Sequence, residues 1–181
     1  MWTTLGVPVL IDPGTFSYDP GLYNTYQISP IAHDVQLVSG KVSNPTSTMR
    51  MVGTTTSGAV HAYTVTDVQY GPAHTRNWRI DTDLHRVTVT DTIAAAATTT
   101  LHLDLSWNAT YLSGDRRTMT LKHPATGRIA TVVSSSPMTI YRQNTRPPLG
   151  WQFPVYGQRT GAVQVLMSAP AGTSSMIVTV S

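Results

Sequence analysis

Apolar and polar residues alternate along most of this chain. The pattern is clearest at Val87 and Val89, at Leu101, Leu103 and Leu105, and at Met119 and Leu121. It recurs at Ile129 and Val133, at Val163, Val165 and Met167, and at Met176, Val178 and Val180. A period of two sends successive side chains to opposite faces of a strand, so each run predicts a strand with one buried and one wet face. Turn chemistry punctuates the runs at Asp12-Pro-Gly14, Asp19-Pro-Gly21, Ser39-Gly40, Ser113-Gly-Asp115, His123-Pro-Ala-Thr-Gly127, Arg146-Pro-Pro148 and Ala169-Pro-Ala-Gly172. Many short strands at this spacing predict an all-β fold, an antiparallel β-sandwich, in one domain over residues 1–181. The helical period is absent. Ala94-Ala-Ala-Ala97 is too short to nucleate a helix and reads as a loop or single turn, and the low-complexity stretch 53–58 reads as a hairpin loop. No repeat of solenoid or propeller period and no linker divides the chain.

Composition narrows the classes of function. At 181 residues and 19.6 kDa the chain is large enough to bury a core without covalent staples. Its 40% hydrophobic and 12% charged residues describe a folded protein with a weakly charged, Thr/Ser-rich surface. There is no cysteine, which excludes disulfides and thiolate metal sites, and no glutamate, so any metal must be held by His or Asp. The net charge of +3 comes almost entirely from arginine, because Lys41 and Lys122 are the only lysines. Arginine's planar fork suits carboxylates and sulfates, as on an anionic glycan, although a solvated surface accounts for so small an excess equally well. No basic cluster interleaved with aromatics suggests nucleic acid. No apolar run is long enough to span a bilayer, and residues 1–6 lack the basic start and apolar stretch of a secretory signal.

Candidate chemistry concentrates in three places. The first is Leu10-Ile-Asp12-Pro-Gly14-Thr-Phe16-Ser-Tyr18-Asp19. The second is Ile31-Ala32-His33-Asp34-Val35, read as an alternating strand that opens on a histidine at the sandwich rim. Imidazole there suits proton transfer or metal ligation. The third is His74-Thr-Arg76, whose spacing of two puts a nitrogen base and a fixed cation on one strand face. Tyr18, Tyr63 and Tyr70 are possible contributors that equally serve packing. Trp151, Phe153 and Tyr156 around Pro154 either cover the core end or form a sugar-stacking platform. Asp12 and Asp19 read first as turn-forming side chains, and Asn108-Ala-Thr110 is a glycosylation acceptor on paper.

The Asp12-x-Gly14-x-Phe16-x-Tyr18 segment followed by Ala32-His33-Asp34-Val35 resembles the C-terminal β-sandwich domain of the heparinase II/III-like polysaccharide lyases, with Asp34 where that family usually has Asn. The resemblance runs from Gly6 to about Asp91. It implies a super-sandwich-like β fold, excised from a larger chain whose N-terminal α/α toroid carries most of the cleft. It implies an acidic polysaccharide as partner, an extracellular or periplasmic location, and β-elimination across the glycosidic bond. That chemistry needs a neutralised sugar carboxylate, a base and an acid, roles suited to His33, Arg76 and Tyr70. The resemblance also assigns His33 and His74 as ligands of one divalent metal, zinc or similar, with an intervening acidic residue. Here the chain departs from the family: no Asp or Glu occurs over residues 41–66, leaving Asp67, or His61 as a third nitrogen ligand. Without the toroid, the isolated domain is expected to be inactive. Two rival readings stay open: a noncatalytic carbohydrate-binding module that uses Trp151, Tyr156 and surface arginines, and a purely structural sandwich.

Overall fold

The computed structural model describes residues 2–4, 6–44, 46–103, 107–169 and 176–180. The first half of the chain contains β1 (Trp2–Thr4), β2 (Val7–Leu10), α1 (Leu22–Gln27), a 3₁₀ turn (Pro30–Ala32), β3 (Gln36–Val38), β4 (Arg50–Ser57), β5 (Val60–Asp67), β6 (His74–Asp81), β7 (Arg86–Ile93) and β8 (Ala97–Leu103). The second half contains β9 (Asn108–Leu112), β10 (Thr118–Lys122), β11 (Ile129–Ser134), β12 (Met138–Arg142), β13 (Asn144–Thr145), β14 (Pro148–Leu149), β15 (Trp151–Gln152), β16 (Thr160–Gly161), β17 (Val163–Ala169) and β18 (Met176–Val180). One sheet runs β1-β2-β8-β17-β12 with β3 also paired to β8; the other runs β4-β5-β6-β7-β18-β11-β10-β9. All their pairings are antiparallel. β13-β14 and β15-β16 form two small ribbons.

The sheets sandwich one continuous core, in which Val9, Met119, Leu121, Val132, Met138, Val165 and Met167 are fully excluded from water. Each such side chain contributes about 1.5–3 kcal/mol relative to exposure. The alternation in β7, β10 and β17 is therefore a correct record of their inner faces. β11 inverts the expected parity: Ile129 and Val133 are exposed, while Ala130, Val132 and Ser134 are buried. Antiparallel pairing with β10 sets Ala130 opposite Leu121 and Val132 opposite Met119, and a strand fixed at two core positions has no freedom in its other residues. Leu105 lies outside the described residues, as do the side chains of Leu103, Met176, Val178 and Val180, although β18 itself pairs with β7 and β11.

Three local expectations are corrected. The stretch 53–58 is mostly strand, not loop: Thr54, Thr55 and Thr56 are β-branched and pair along β5, and the turn falls at Gly58 with φ +57°. Residues 22–27 form a helix too short to show a period, which tertiary contacts of buried Tyr26 and Gln27 hold in place. His33 does not open a strand. It caps the 3₁₀ turn, three residues before β3, with its own backbone extended.

Candidate functional site

Two of the three sequence stretches meet at the rim. Asp12 Oδ1 accepts the Gly14 amide at 3.1 Å, closing the Asp-Pro-Gly turn, while Oδ2 lies 2.7 Å from His33 Nδ1. Both side chains reach solvent, with 35% of His33 and 63% of Asp12 exposed. The His33 carbonyl accepts from Thr100 Oγ1 on β8, which ties the turn to the smaller sheet. With Nδ1–H donating to Asp12, the lone pair stands on Nε2, the tautomer a general base requires. Gly14 is needed for this turn: it has φ +81°, and a methyl group there would overlap the Phe153 carbonyl oxygen.

His74 and Arg76 share a face of β6, but that face is interior. His74 Nδ1 lies 2.9 Å from Asp67 Oδ2 and Nε2 lies 2.9 Å from Asp91 Oδ1. Arg76 donates from Nε to Asp91 Oδ1 at 2.6 Å and from Nη2 to Asp91 Oδ2 at 2.8 Å, and Thr99 Oγ1 adds a bond to Asp91 at 3.1 Å. The sheet register produces this cluster, since Asp67 is the cross-strand partner of His74, and Asp91 that of Arg76. Facing a carboxylate at each nitrogen, the imidazole donates twice and is positively charged, so two cations balance two anions. Burial pulls the His74 pKa down, but the bonds to Asp91 and Asp67 more than offset it and the net shift is upward. Burial likewise works against ionised Asp91, yet Arg76 and His74 draw its pKa down to about 2. Arg76 also donates from Nη1 to the Asp34 carbonyl at 2.6 Å, so the closed cluster anchors the turn that carries His33.

Asp67, Tyr70, His74 and Arg76 line one cavity of about 60 Å³ with Met49 and Gln36. That volume holds roughly two waters and no sugar ring. Burial, then the negative charge of Asp67, raises the Tyr70 pKa. His33 does not line this cavity; the connection to it runs through the Arg76 bond to the Asp34 carbonyl. His61 is remote from His74: it sits opposite Ile80 on β6, six residues along the strand, or about 20 Å at strand rise. Met49, on the wall beside Asp67 and His74, falls within the stretch that lacks an acidic residue. As arranged, the donors are paired with one another, and among the described residues no group of three His or Asp side chains is placed to hold a metal. The set does not fit a divalent ion.

The third candidate region divides. Trp151 and Phe153 are buried in an aromatic cluster with Tyr26, against which Phe16 and Tyr23 pack. Buried Gln164 stitches this cluster to the sandwich: it accepts from Tyr26 Oη at 3.0 Å and from the Gly150 amide at 2.8 Å, and donates to the Ile31 carbonyl at 2.6 Å. Tyr156 instead is exposed and packs beside Tyr18, with ring centroids 5.8 Å apart.

Sequence reasoning does not single out Asp91, the hub of the buried cluster, or the link between Asp12 and His33. The first has a signal. Asp91 follows Val87 and Val89 at a spacing of two, so a carboxylate stands in the buried phase of a strand, where it requires a cation.

No family model matches the chain, and no curated protein matches it in sequence. Among solved structures, heparan sulfate lyase HepC from Pedobacter heparinus is similar at TM-score 0.78 and 13% identity, and a mutant of it at 0.79 and 15%. A heparinase III structure is similar at TM-score 0.78 and 12% identity. In each case 97% of this chain is covered, against 28% of the other. At such identities the likeness speaks to architecture: this chain has the β-sandwich fold found in a little over a quarter of those heparan sulfate lyase and heparinase III chains.

Proposed function

We propose that this chain is the sandwich portion of a secreted polysaccharide lyase that cleaves an acidic, uronic-acid polysaccharide by β-elimination. It forms one wall of a cleft whose remainder, an α/α toroid, belongs to the same parent protein, and it is inactive alone. The observation that carries this reading is the exposed Asp12–His33 pair, in which the two motifs resembling that family converge on one solvent-facing imidazole. His33 Nε2 takes the proton α to the sugar carboxylate. The C–H electron pair becomes the new double bond as the glycosidic C–O bond breaks, and an acid on the parent protein protonates the leaving oxygen. Asp12 holds the tautomer and stabilises the imidazolium that forms. Arg76 and Tyr70 act as positioning residues beneath the turn, since neither reaches the outer surface.

The test is the full-length protein acting on heparan sulfate, alginate and other uronic-acid polymers, followed by the absorbance of the unsaturated product. Cleavage is expected, with His33→Ala lowering kcat about 10²-fold or more. A folded full-length protein that produces no absorbance rise with any of these polymers overturns the reading. A noncatalytic glycan-binding role is the second reading, favoured by the exposed Tyr18 and Tyr156 rings. It predicts glycan retention that survives both His33→Ala and His74→Ala.

A further inference from the structure

The strap that carries Asp12 also carries part of an exposed surface of unusual chemistry. Tyr18 is 82% exposed and Tyr156 58% exposed, yet their rings lie together at 37°, with the Tyr156 hydroxyl 3.5 Å from the Tyr18 amide. A few residues on, Arg159 lays its guanidinium 4.5 Å from the Tyr23 ring centroid and 5.3 Å from that of Trp151. Exposed aromatics are commonplace singly; an exposed pair, one ring of which shares a strap with an aromatic-backed arginine, is not explained by core packing. Arg159 forms no salt bridge among the described residues. Of the acids on the neighbouring strap, Asp12 is engaged by His33 and Asp19 by Ser17 Oγ at 3.3 Å. The guanidinium charge is thus fixed in place and unspent.

The surface is also rigid. The Phe153 amide donates to the Pro13 carbonyl at 2.6 Å and the Gly157 amide to the Phe16 carbonyl at 2.7 Å, clamping the strap that carries Tyr18 to the strap that carries Tyr156. Beneath them lie Phe16, Tyr23, Trp151 and Phe153, whose rings meet at centroid distances of 5.4 to 6.1 Å. Holding the receptor in shape before binding reduces the ordering cost of association.

We propose that Tyr18, Tyr156 and Arg159 form a glycan subsite for an anionic sugar: a pyranose face lies on the tyrosine rings, and its carboxylate or sulfate pairs with the Arg159 fork. The chemistry follows from the parts. Aromatic faces take sugar C–H surfaces, and a guanidinium takes planar oxyanions in bidentate fashion. Asp12, which holds His33, and Tyr18 belong to one strap of the chain, so the subsite and the His33 pair share a covalent segment. This inference rests on the acidic-polysaccharide reading above and adds where one of its units binds. It also replaces the Trp151 platform expected from sequence, since Trp151 is backing rather than surface.

The experiment measures steady-state kinetics of the full-length protein on heparan sulfate and alginate, with affinity electrophoresis in gels holding either polymer or neutral dextran. Arg159→Ala, and separately Tyr18→Ala with Tyr156→Ala, should each raise KM about tenfold with kcat within about twofold, and reduce retardation by the acidic gels alone. Arg159→Lys should recover only part of the loss, and the Arg159 effect should shrink in high salt. Active enzyme with unchanged KM and unchanged retardation in these variants overturns the subsite and leaves the lyase reading standing. Arg159-dependent retardation without cleavage of any uronic-acid polymer supports the subsite and sinks the lyase reading. Variants that lower the melting temperature of the full-length protein while leaving KM and retardation unchanged identify the rings as a contact with another part of that protein, which also overturns the subsite.

Discussion

Two aspartate–histidine pairs in this protein have nearly the same length and opposite circumstances. Asp12 and His33 meet at 2.7 Å in the open, with one ring nitrogen unengaged; Asp67 and His74 meet at 2.9 Å inside, where the second nitrogen is taken by Asp91. The difference lies in how many charges each environment must balance. At the solvated pair, water shares in screening each charge. A buried pair holds its protonation state through the whole cluster, and Arg76 closes that cluster to zero net charge. The rim pair is open to a ligand, and the interior one is closed by its own partners.

The largest effect should come from breaking the interior. Arg76→Ala leaves Asp91, 1% exposed, without its bidentate partner and frees the Asp34 carbonyl, so a loss of about 3–5 kcal/mol is expected. His33→Ala, at a solvated pair, should cost under about 1 kcal/mol. Denaturant midpoints of the two variants measure the contrast directly, and equal losses would erase it. Next in size is Gly14→Ala, which forces a side chain into positive φ and against Phe153; a loss of about 1–3 kcal/mol is expected, with the Asp12–His33 geometry disturbed in the same variant.

Much of this contrast is legible in the order of the amino acids. Period-two alternation announces β7, β10 and β17, because a strand buried on one face writes its environment into every second residue. The same rule puts His74 and Arg76 on one face. Burial of that face is not legible from the motif alone; it requires knowing that Asp91 stands opposite Arg76, a register established by the long β6–β7 hairpin. The Asp12–His33 contact spans 21 residues and a helix too short to show a period, and local pattern carries no information about which turns meet across such a distance. Trp151 and Tyr156 fall five residues apart in one aromatic tail and differ widely in exposure, because Trp151 packs into the cluster with Tyr23 and Tyr26 while Tyr156 meets only the exposed Tyr18 ring among the aromatic contacts described.

A smaller and graded effect should appear on titration. The upward shift of His74 means that its contribution is complete below its unfolded pKa near 6.5 and is lost as pH rises through the higher folded value. The downward shift of Asp91 gives the reverse limb: its contribution, on the order of 2 kcal/mol, is present above about pH 4 and is lost as pH falls toward 2. These two groups therefore place the most stable window between about pH 4 and 6.5. Thermal midpoints across pH should show both limbs, with the alkaline one flattened in His74→Gln. A flat profile in the unaltered protein would mean that the cluster does not hold its proton.

The smallest expected effect is the most discriminating. A divalent ion at His74 would have to displace the ring proton facing Asp67 or Asp91, and it would add positive charge to a cluster already neutral with Arg76 in place. His33, the second ligand that the family resemblance implies, sits at the rim and does not line the cavity that His74 lines. Zinc added in slight excess, or removed with chelator, should thus leave the melting temperature of the purified protein within about 1 °C, since a ligand stabilises only in proportion to its preference for the folded state. A stoichiometric zinc signal in elemental analysis, abolished by His74→Ala, would show instead that the interior pair opens to accept a metal, and the distinction between a closed interior and an open rim would fall with it.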